Sequence, residues 1–307
     1  MINNGYIYTD TIRFADEGRT VVDFYTRHYR HSPAETWWTR ILAGQIRLNG
    51  RPASPAEILQ RGDHLTFHRP PWEEPDVPTD VGLLFADDDL LALAKPAGLP
   101  VLPGGGFLDH TLLHLARRRF GEACSPVHRL GRGTSGVILF ARHARAASRL
   151  GRALQNRQIS KIYLALATGT DLPAAFTVDA PIGPVPHSPL GTVHAWSPAG
   201  RPAFSLVRLL SVRPGENASL VEVTIITGRP HQIRIHLSHA GYPLMGDPLY
   251  EKGGLPRPNS ADTNSPALPG TGGYYLHAWK IRFPHPTTDQ DMEIVASPPP
   301  GLNPASP

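Results

Sequence analysis

A ten-residue segment rich in proline and acidic residues, PPWEEPDVPT at positions 70–79, limits what this chain can fold into. Its four prolines fix φ and remove backbone donors, so the segment cannot continue a helix or enter the middle of a sheet. We therefore predict a linker at 70–79 between a small domain, residues 1–69, and a large domain, residues 80–295. The proline- and serine-rich residues 296–307 are expected to form a disordered tail.

Composition narrows the class of protein. With 40% hydrophobic residues over 307 positions, the chain is long enough for one substantial core and an accessory domain. Its single cysteine, Cys124, excludes a disulfide framework and a cysteine-rich metal cluster. The start MINNGYIYTD lacks the basic and apolar runs of a signal peptide, and no apolar stretch reaches bilayer-spanning length. We therefore expect a cytoplasmic protein with no membrane partner.

The basic residues are mostly arginine. Of the 30 lysines and arginines, four are lysine, at positions 95, 161, 252 and 280, which leaves 26 arginines. Arginine binds phosphates bidentately and stacks on bases, which favours a nucleic-acid partner. A GC-rich genome would enrich arginine as well, so composition alone leaves both explanations open.

Two helices are predicted in the small domain. The stretch TVVDFYTRHY has the apolar period of a helix. Ser32, Pro33 and Glu35 match a capping box with proline at the first helical position, and Gly44 ends this second helix. The apolar face of the second helix is predicted to comprise Trp37, Trp38, Ile41 and Leu42.

A hairpin and a further strand are predicted to follow, which gives an αββ-type unit. Asn49-Gly50 is a hairpin turn signal, and Gly62-Asp63 precedes a short strand at 64–67. This order resembles the small RNA-binding domain named after ribosomal small-subunit protein four, in which basic residues face RNA. A structural domain with solvated arginines is the alternative. The RNA-facing candidates under the resemblance are Arg40, Arg47 and Arg51.

Four separated segments of the large domain are specific when taken together. They are KPAGLPV from Lys95, HRLGRGTSGVILFAR from His128, TGRPHQIRIHLSHAGYPLMGDPLY from Thr227, and LHAWKIRFPHP from Leu276. In this order and spacing they resemble the RluA-type pseudouridine synthases over roughly residues 80 to 290. The resemblance implies an α+β fold: a mixed, largely antiparallel central sheet with flanking helices and a catalytic cleft.

The same resemblance implies a reaction on RNA. A uridine of ribosomal or transfer RNA is flipped into the cleft, and its uracil is detached, rotated and rejoined through carbon, with no metal and no organic cofactor. By motif position, Arg129 is the wedge that fills the gap, Tyr163 packs on the base, and Arg234 pairs with the catalytic aspartate. We expect a monomer. Further candidates for RNA contact are His128, Arg132, Thr134, Arg229, His231 and Gln232.

One position departs from the family signature. The family reads His-Arg-Leu-Asp where this chain has glycine at position 131, and Gly133 also replaces a residue that is commonly polar or acidic. Glycine offers no group for nucleophilic or general-base chemistry. The predicted function is an RNA pseudouridine synthase, with a catalytically impaired RNA-binding relative as the alternative. No substitute carboxylate is assigned, since Asp109 and Glu222 lack a supporting signal.

Three histidines suggest a different class of site. His231, His236 and His239 have spacings at which imidazoles can converge on zinc. If Arg234 lies on a strand facing the cleft, strand alternation sends His231 and His236 to opposite faces. We therefore predict no metal site.

Overall fold

The computed structural model of the protein describes residues 2–188, 191–257 and 269–304. The chain divides into two compact units between Pro75 and Asp76. Within the described ranges, no helix is both long enough and apolar enough to cross a membrane.

The division falls inside the segment predicted as a linker, but the first half of that segment is packed. Glu74 is buried and accepts a hydrogen bond from Asn3 Nδ2 at 2.7 Å. The guanidinium of Arg69 stacks on Trp72, 3.4 Å from the ring centroid. Residues 70–75 therefore belong to the small unit, because their acidic and aromatic side chains find partners there.

The small unit consists of a four-stranded antiparallel sheet and two helices. Its strands are β1 (Tyr6–Thr11), β2 (Ile46–Leu48), β3 (Arg51–Pro52) and β4 (His64–Arg69). Its helices are α1 (Val21–His28) and α2 (Ala34–Leu42), with a 3₁₀ turn at Phe14–Asp16. The strand order is β1-β4-β2-β3. The two predicted helices, the hairpin and β4 are confirmed, whereas β1 had no predicted counterpart.

The start of α2 differs from the predicted capping box. Pro33 occupies the N-cap position, where no side chain caps the helix. Ser32 Oγ instead accepts a hydrogen bond from Arg40 Nη1 at 3.1 Å. The capping-box prediction is therefore wrong, because the serine hydroxyl is used by an arginine two turns further along the helix.

The buried face of α2 is also narrower than predicted. Trp37 and Ile41 are buried, whereas Trp38 and Leu42 are 47% and 68% exposed. Trp37 stacks on Tyr25 of α1, with ring centroids 4.8 Å apart. Only the side of α2 that meets these aromatic rings is part of the core of the small unit.

The large unit combines many strands with three helices in the described ranges. Its strands are β5 (Gly82–Ala86), β6 (Leu90–Lys95), β7 (Ser125–Pro126), β8 (Ser135–Ala141), β9 (Ser160–Thr168), β10 (Ala175–Asp179), β11 (Ile182–His187), β12 (Gly191–Trp196), β13 (Phe204–Arg213), β14 (Ala218–Ile225), β15 (Leu276–Pro284) and β16 (Asp291–Val295). Its helices are α3 (Leu112–Phe120), α4 (Ala144–Gln155) and α5 (Gln232–His239), with 3₁₀ turns at Pro214–Glu216 and Pro300–Leu302.

Ten of these strands form one sheet. The order along it is β10-β13-β14-β9-β15-β8-β6-β5, with β7 beside β8 and β16 beside β15. The β8/β15 contact is parallel and the neighbouring pairs are antiparallel. Strands β11 and β12 form a separate two-stranded sheet. The predicted α+β fold with a mixed, largely antiparallel sheet is confirmed.

The sheet register places residues from different motifs side by side. Tyr163 of β9 is opposite Ala278 of β15, and Ala278 is opposite Gly136 of β8. Gly136 has φ +109°, and a Cβ built on it would collide with the backbone of Ala278, so this contact requires glycine. Adjacent strands are about 4.8 Å apart, so Tyr163 lies roughly 10 Å from the start of β8.

The end of the chain is ordered as far as it is described. Leu302 is buried in an apolar cluster, and the carbonyl oxygen of Gly301 accepts a hydrogen bond from Arg213 Nη1 at 3.0 Å. The predicted disordered tail is therefore wrong for residues 296–304, because Ala296 and Leu302 are both buried and anchor the proline-rich segment. Residues 305–307 lie outside the described residues.

Candidate active site

The loop between β7 and β8 contains the motif that begins at His128. The Nε2 of His128 accepts a hydrogen bond from the backbone N–H of Leu139 at 3.3 Å. Burial, together with the nearby charge of Lys161, lowers the pKa of His128 to about 3. The imidazole is therefore neutral and ties the loop to β8, while Arg129 and Gly131 are exposed.

A buried lysine supports the same loop. Lys95, the last residue of β6, donates hydrogen bonds from Nζ to the carbonyl oxygens of Pro96 at 2.8 Å, Leu99 at 2.7 Å and Arg132 at 3.1 Å. Burial lowers the pKa of Lys95 to about 7. The sequence signal for this role was a lysine at the end of an apolar strand, since a fully buried lysine needs partners.

The two glycines of the motif differ in the space around them. A Cβ built on Gly131 would lie 3.2 Å from Tyr274 Oη and 3.4 Å from Thr134 Oγ1. A Cβ on Gly133 would lie 2.9 Å from Tyr274 Cζ and 3.0 Å from the backbone Cα of Gly272. A Cβ can therefore be added at position 131 after a small shift of the Tyr274 hydroxyl, whereas at Gly133 it would collide with the Tyr274 ring and the Gly272 backbone.

Arg234 is a second fully buried cation of the site, and it lies on α5 rather than on a strand. Its Nε and Nη2 each donate to the carboxylate of Asp247 at 2.7 Å, and Nη1 donates to the carbonyl oxygen of Pro269 at 3.1 Å. Burial acts to lower the pKa of Arg234, but the hydrogen bonds to Asp247 raise it, so the guanidinium stays charged. The family resemblance pairs Arg234 with a carboxylate at position 131, and here Asp247 forms both bonds.

Asp247 has no capacity left for substrate. Its Oδ1 also accepts hydrogen bonds from the backbone N–H groups of Leu249 at 2.9 Å and Tyr250 at 3.1 Å. Its side chain is 1% exposed. Asp247 is therefore the counter-ion of Arg234, and it also fixes the backbone of Leu249 and Tyr250.

Two tyrosines enclose the guanidinium of Arg234. Its Cζ lies 4.3 Å from the ring centroid of Tyr274 and 4.9 Å from that of Tyr250. The hydroxyl of Tyr274 lies 3.4 Å from Thr134 Oγ1, which connects Arg234 to the loop after β7. Sequence reasoning gave neither tyrosine a role. The position of Tyr274 two residues before the Leu276 motif was the available signal.

Gln232 fixes the loop that precedes α5. Its Oε1 accepts hydrogen bonds from Thr227 Oγ1 at 2.8 Å and from the backbone N–H of Arg229 at 3.0 Å. Its Nε2 donates to the carbonyl oxygen of Phe204 at 2.9 Å. Arg229 in turn donates from Nε to the carbonyl oxygen of Pro202 at 3.0 Å. Gln232 is buried and positions the half-buried Arg229.

His231 and His236 both have partners within the protein. Nδ1 of His231 lies 2.8 Å from Tyr250 Oη, and burial lowers the pKa of His231 to about 3. His236 is hydrogen-bonded to Ser205 Oγ at 2.9 Å and to the carbonyl oxygen of Ala180 at 3.0 Å, and burial lowers its pKa to about 4. Both residues belong to the start or body of a helix, so the strand geometry assumed for them in the sequence is wrong.

Tyr163 and Lys161 share one face of β9, because they are two residues apart on a strand. Tyr163 is buried, and burial raises the pKa of its phenol well above the usual range. The Nζ of Lys161 lies 3.5 Å from a Cβ built on Gly228, and burial lowers the pKa of this ammonium group. The loop before α5 therefore reaches the face of β9 that contains Tyr163. Lys161 had no predicted role.

The predicted site residues fall in both units: Arg40 and Arg47 belong to the small unit, and the others belong to the large unit. In the large unit, Arg132 donates from Nε to the carbonyl oxygen of Gly270 at 2.7 Å. In the small unit, Arg47 is exposed on β2. Tyr274 and Tyr250 link Arg234 to Thr134 and His231, and Gln232 holds Arg229. The other predicted residues of the large unit lie on the loop before β8 and on β9; they are His128, Arg129, Gly131, Arg132 and Tyr163.

The third candidate of the small unit is neutralised within the protein. Arg51 forms an ion pair with Glu57, whose carboxylate also accepts a hydrogen bond from the backbone N–H of Ser54 at 3.1 Å. The carboxylate of Glu57 therefore competes with any phosphate for Arg51, whose side chain is 62% exposed, and the candidacy of Arg51 for RNA binding stays a prediction.

Comparison with known proteins identifies this arrangement. Residues 89–239 match the family model described as RNA pseudouridylate synthase. A Synechocystis protein named as an uncharacterised RNA pseudouridine synthase is 42% identical over 283 residues, which cover 92% of this chain and 95% of that protein. Ribosomal large subunit pseudouridine synthase D of Vibrio parahaemolyticus is 33% identical, covering 83% of this chain and 80% of that protein. The solved structure of human RNA pseudouridylate synthase domain containing 1 gives a TM-score of 0.56 at 25% identity, over 75% of this chain and 89% of that one. This chain therefore belongs to the RNA pseudouridylate synthase family.

Proposed function

We propose that this chain isomerises uridine to pseudouridine in ribosomal or transfer RNA. In this reaction the N1–C1′ bond of uridine breaks, the C5–C1′ bond forms, a proton leaves C5 and a proton is gained at N1. No other reactant is consumed. The observation that supports the proposal is the contact of Arg234 with Tyr274 and of Tyr274 with Thr134, which joins α5 to the loop that contains Gly131.

The flipped base is proposed to lie against the face of β9 that contains Tyr163 and Lys161. Extruding a base from its stack costs a few kcal/mol, and a side chain that fills the gap recovers part of this. Arg129 is exposed and available for that role. When the C–N bond breaks, negative charge develops on the uracil, which the ammonium group of Lys161 would stabilise.

Catalysis at the sugar is where this chain differs from the family pattern. Asp247 is saturated by Arg234 and by backbone donors. Glu222 is opposite Leu164 in the sheet, so its side chain lies on the face away from Tyr163, where it pairs with Arg208 at 3.0 Å. Neither carboxylate can replace the one missing at position 131. We infer that turnover by the natural chain is slow.

The test is pseudouridine formation by the natural chain and by Gly131→Asp. Tritium release from RNA labelled at C5 of uridine measures the proton lost in the reaction. A Cβ at position 131 displaces only the Tyr274 hydroxyl, the end of a side chain, so we expect Gly131→Asp to fold with its carboxylate near Tyr274 and Thr134. General-base or nucleophilic groups contribute about 10²–10⁴-fold to rates, and we expect an increase of that order.

Gly131→Asn is the matched control, because it adds the same volume without a carboxylate, and we expect no increase from it. Added formate is expected to accelerate the natural chain and to leave Gly131→Asp unchanged. Rapid turnover by the natural chain that Gly131→Asp does not improve would contradict the inferred role of position 131. It would mean that another group acts at the sugar.

The glycine at position 131 favours a second candidate function, RNA binding without isomerisation. If tritium release occurs only in Gly131→Asp while the natural chain binds the same RNA, the protein is an RNA-binding relative that has lost the isomerase step. The two functions share fold and partner, and the rate of the natural chain separates them.

We further propose that the small unit is an RNA-binding domain resembling that of ribosomal small-subunit protein four, and that the protein is a cytoplasmic monomer. The helix pair followed by the hairpin supports the first proposal. The single cysteine, Cys124, is buried and free, which suits a reducing compartment. Size-exclusion chromatography with light scattering tests the oligomeric state, and a mass near 33.5 kDa is expected.

A further inference from the structure

Two arginines and a histidine gather at one place in the small unit. His31 follows α1, Arg40 lies on α2, and Arg69 is the last residue of β4. Burial and the neighbouring Arg69 lower the pKa of Arg40. Burial, Arg40 and Arg69 lower the pKa of His31. The His31 and Trp37 ring centroids are 5.5 Å apart, and Arg40 lies over both Trp37 and Phe67. Phe67 and Arg69 are two residues apart on β4, so their side chains share one face. A neutral imidazole therefore lies beside two charged guanidinium groups.

Aromatic rings hold the two guanidinium groups. The Cζ of Arg40 lies 4.5 Å from the ring centroid of Trp37 and 5.4 Å from that of Phe67. The Cζ of Arg69 lies 3.4 Å from the ring centroid of Trp72. A ring covers one face of a guanidinium and leaves its N–H edge available, and that edge matches the oxygens of a phosphate.

Neither Arg40 nor Arg69 forms an ion pair with a carboxylate in the described part of the small unit. Arg40 Nη1 donates to the neutral Ser32 Oγ at 3.1 Å. Asp10, on the neighbouring strand β1, accepts a hydrogen bond from the hydroxyl of Tyr29 at 2.7 Å. The ion pairs of the small unit join Arg19 and His28 to Asp16, and Arg51 to Glu57.

Cation–π contacts explain the position of each arginine side chain, but they do not explain why Arg40 and Arg69 lie near each other. Each contact would be as favourable if the two arginines were far apart. Bringing like charges together in a partly desolvated setting without a counter-ion is unfavourable, and a bound anion would reverse the sign of that contribution.

We propose that His31, Arg40 and Arg69 bind one phosphodiester of the RNA backbone. This inference rests on the proposed function, which makes RNA the substrate. A phosphate contact supplies affinity and fixes the register of the RNA without reading its sequence. The site therefore adds a fixed anchor in the small unit that is independent of which base is modified.

The test is filter binding of deproteinised total ribosomal RNA to the full chain over a range of salt concentrations. The variant is Arg40→Gln/Arg69→Gln, and the matched control is Arg51→Gln, which removes an arginine that already has an internal partner. We expect the variant to bind on the order of tenfold more weakly, since charge-assisted contacts to one phosphate are lost. The slope of log K against log salt should fall in magnitude by about one.

Binding and salt slope equal to those of Arg51→Gln would overturn the site. If the double variant shifts the urea unfolding midpoint, the single variant Arg69→Gln replaces it in the binding test. Arg69 rests on Trp72, which is only partly buried, so its loss should disturb the fold less. Arg40→Lys/Arg69→Lys is expected to restore part of the affinity, because the charge remains. If the lysine variant does not recover affinity while its salt slope equals that of the natural chain, Arg40 and Arg69 pack the domain and do not bind phosphate.

Two further measurements separate the alternatives. If the natural chain binds no ribosomal RNA, and neither it nor Gly131→Asp releases tritium, the proposed function fails. If it binds RNA and the arginine variants bind equally well, only the phosphate site fails. Inorganic phosphate alone is titrated by calorimetry. Tight binding of phosphate that the arginine variants abolish, without any change in RNA affinity, would assign the site to a free anion and overturn the RNA proposal.

Discussion

Arg234 in the large unit and Arg40 in the small unit rest on aromatic rings in similar ways but differ in their charge environment. Arg234 lies 4.3 Å from one tyrosine ring and 4.9 Å from another, and Arg40 lies 4.5 Å from a tryptophan ring and 5.4 Å from a phenylalanine ring. Arg234 is 2% exposed and has a bidentate carboxylate partner, Asp247. Arg40 is half-buried and has a neutral partner, Ser32.

The difference separates two uses of the same side chain. A buried and neutralised arginine can orient the chain around it, because its hydrogen-bonding groups are committed to Asp247 and to a backbone carbonyl. An arginine without a counter-ion keeps its N–H edge and its charge for a ligand. We therefore expect changes near Arg234 to affect mainly stability, and changes at Arg40 to affect mainly affinity for RNA.

The largest predicted effect on stability is that of Asp247→Asn. Removing one partner of a buried ion pair leaves the other charge uncompensated, which costs about 3–5 kcal/mol. Equilibrium urea unfolding at pH 7 measures the loss. The double variant Arg234→Met/Asp247→Leu is the control, and it should recover part of the loss because no charge remains buried. A loss below about 1 kcal/mol in Asp247→Asn would break the comparison, since Arg234 would then resemble an exposed arginine.

The partner of Arg234 shows why part of the site could be predicted from the sequence and part could not. The residues of the motifs were identified, because each motif is a short continuous segment. The bond between Arg234 and Asp247, and the contact of Thr134 with Tyr274 across 140 positions, depend on how distant segments meet. The same limit applies to Lys95, whose bond to the carbonyl oxygen of Arg132 crosses 37 positions.

Secondary structure was predicted better than long-range contacts, except where a tertiary contact gave a residue a different partner. Both helices of the small unit follow the apolar period, since that period is set by nearby residues. The serine of the expected capping box instead binds Arg40, and Trp38 is exposed because α2 has only one packed side. The proline-rich end was expected to be disordered, but two buried apolar residues, Ala296 and Leu302, fix it.

A smaller loss of stability is predicted for the titration of one buried histidine at mildly acidic pH. The pKa values of His128 and His231 are lowered to about 3, and that of His236 to about 4, from an ordinary value of 6.5. Between pH 6.5 and 4 the unfolded chain therefore binds protons that the folded chain does not, so stability falls as the pH falls through this window. A fully buried histidine such as His236 contributes up to about 1.4 kcal/mol per pH unit.

Urea midpoints at pH 7, 6 and 5 measure this slope. His236→Gln keeps a side-chain amide near Ser205 and Ala180 but cannot titrate, so its midpoint should depend less on pH than that of the natural chain. Equal slopes in the two proteins would show that His236 is protonated in the folded state. The interior around α5 would then be less well shielded from protons than the comparison of Arg234 with Arg40 requires.

The smallest predicted change in stability is that of Arg40→Met. Each cation–π contact with Trp37 and Phe67 contributes roughly 0.5–1 kcal/mol, while relief of the repulsion from Arg69 offsets part of that loss. We therefore expect a net loss below about 1 kcal/mol in urea unfolding, together with the weaker binding of ribosomal RNA expected for a lost phosphate contact. Arg69→Met should behave in the same way. A loss above about 2 kcal/mol with unchanged RNA affinity would make Arg40 a structural residue like Arg234, and the distinction between the two arginines would no longer hold.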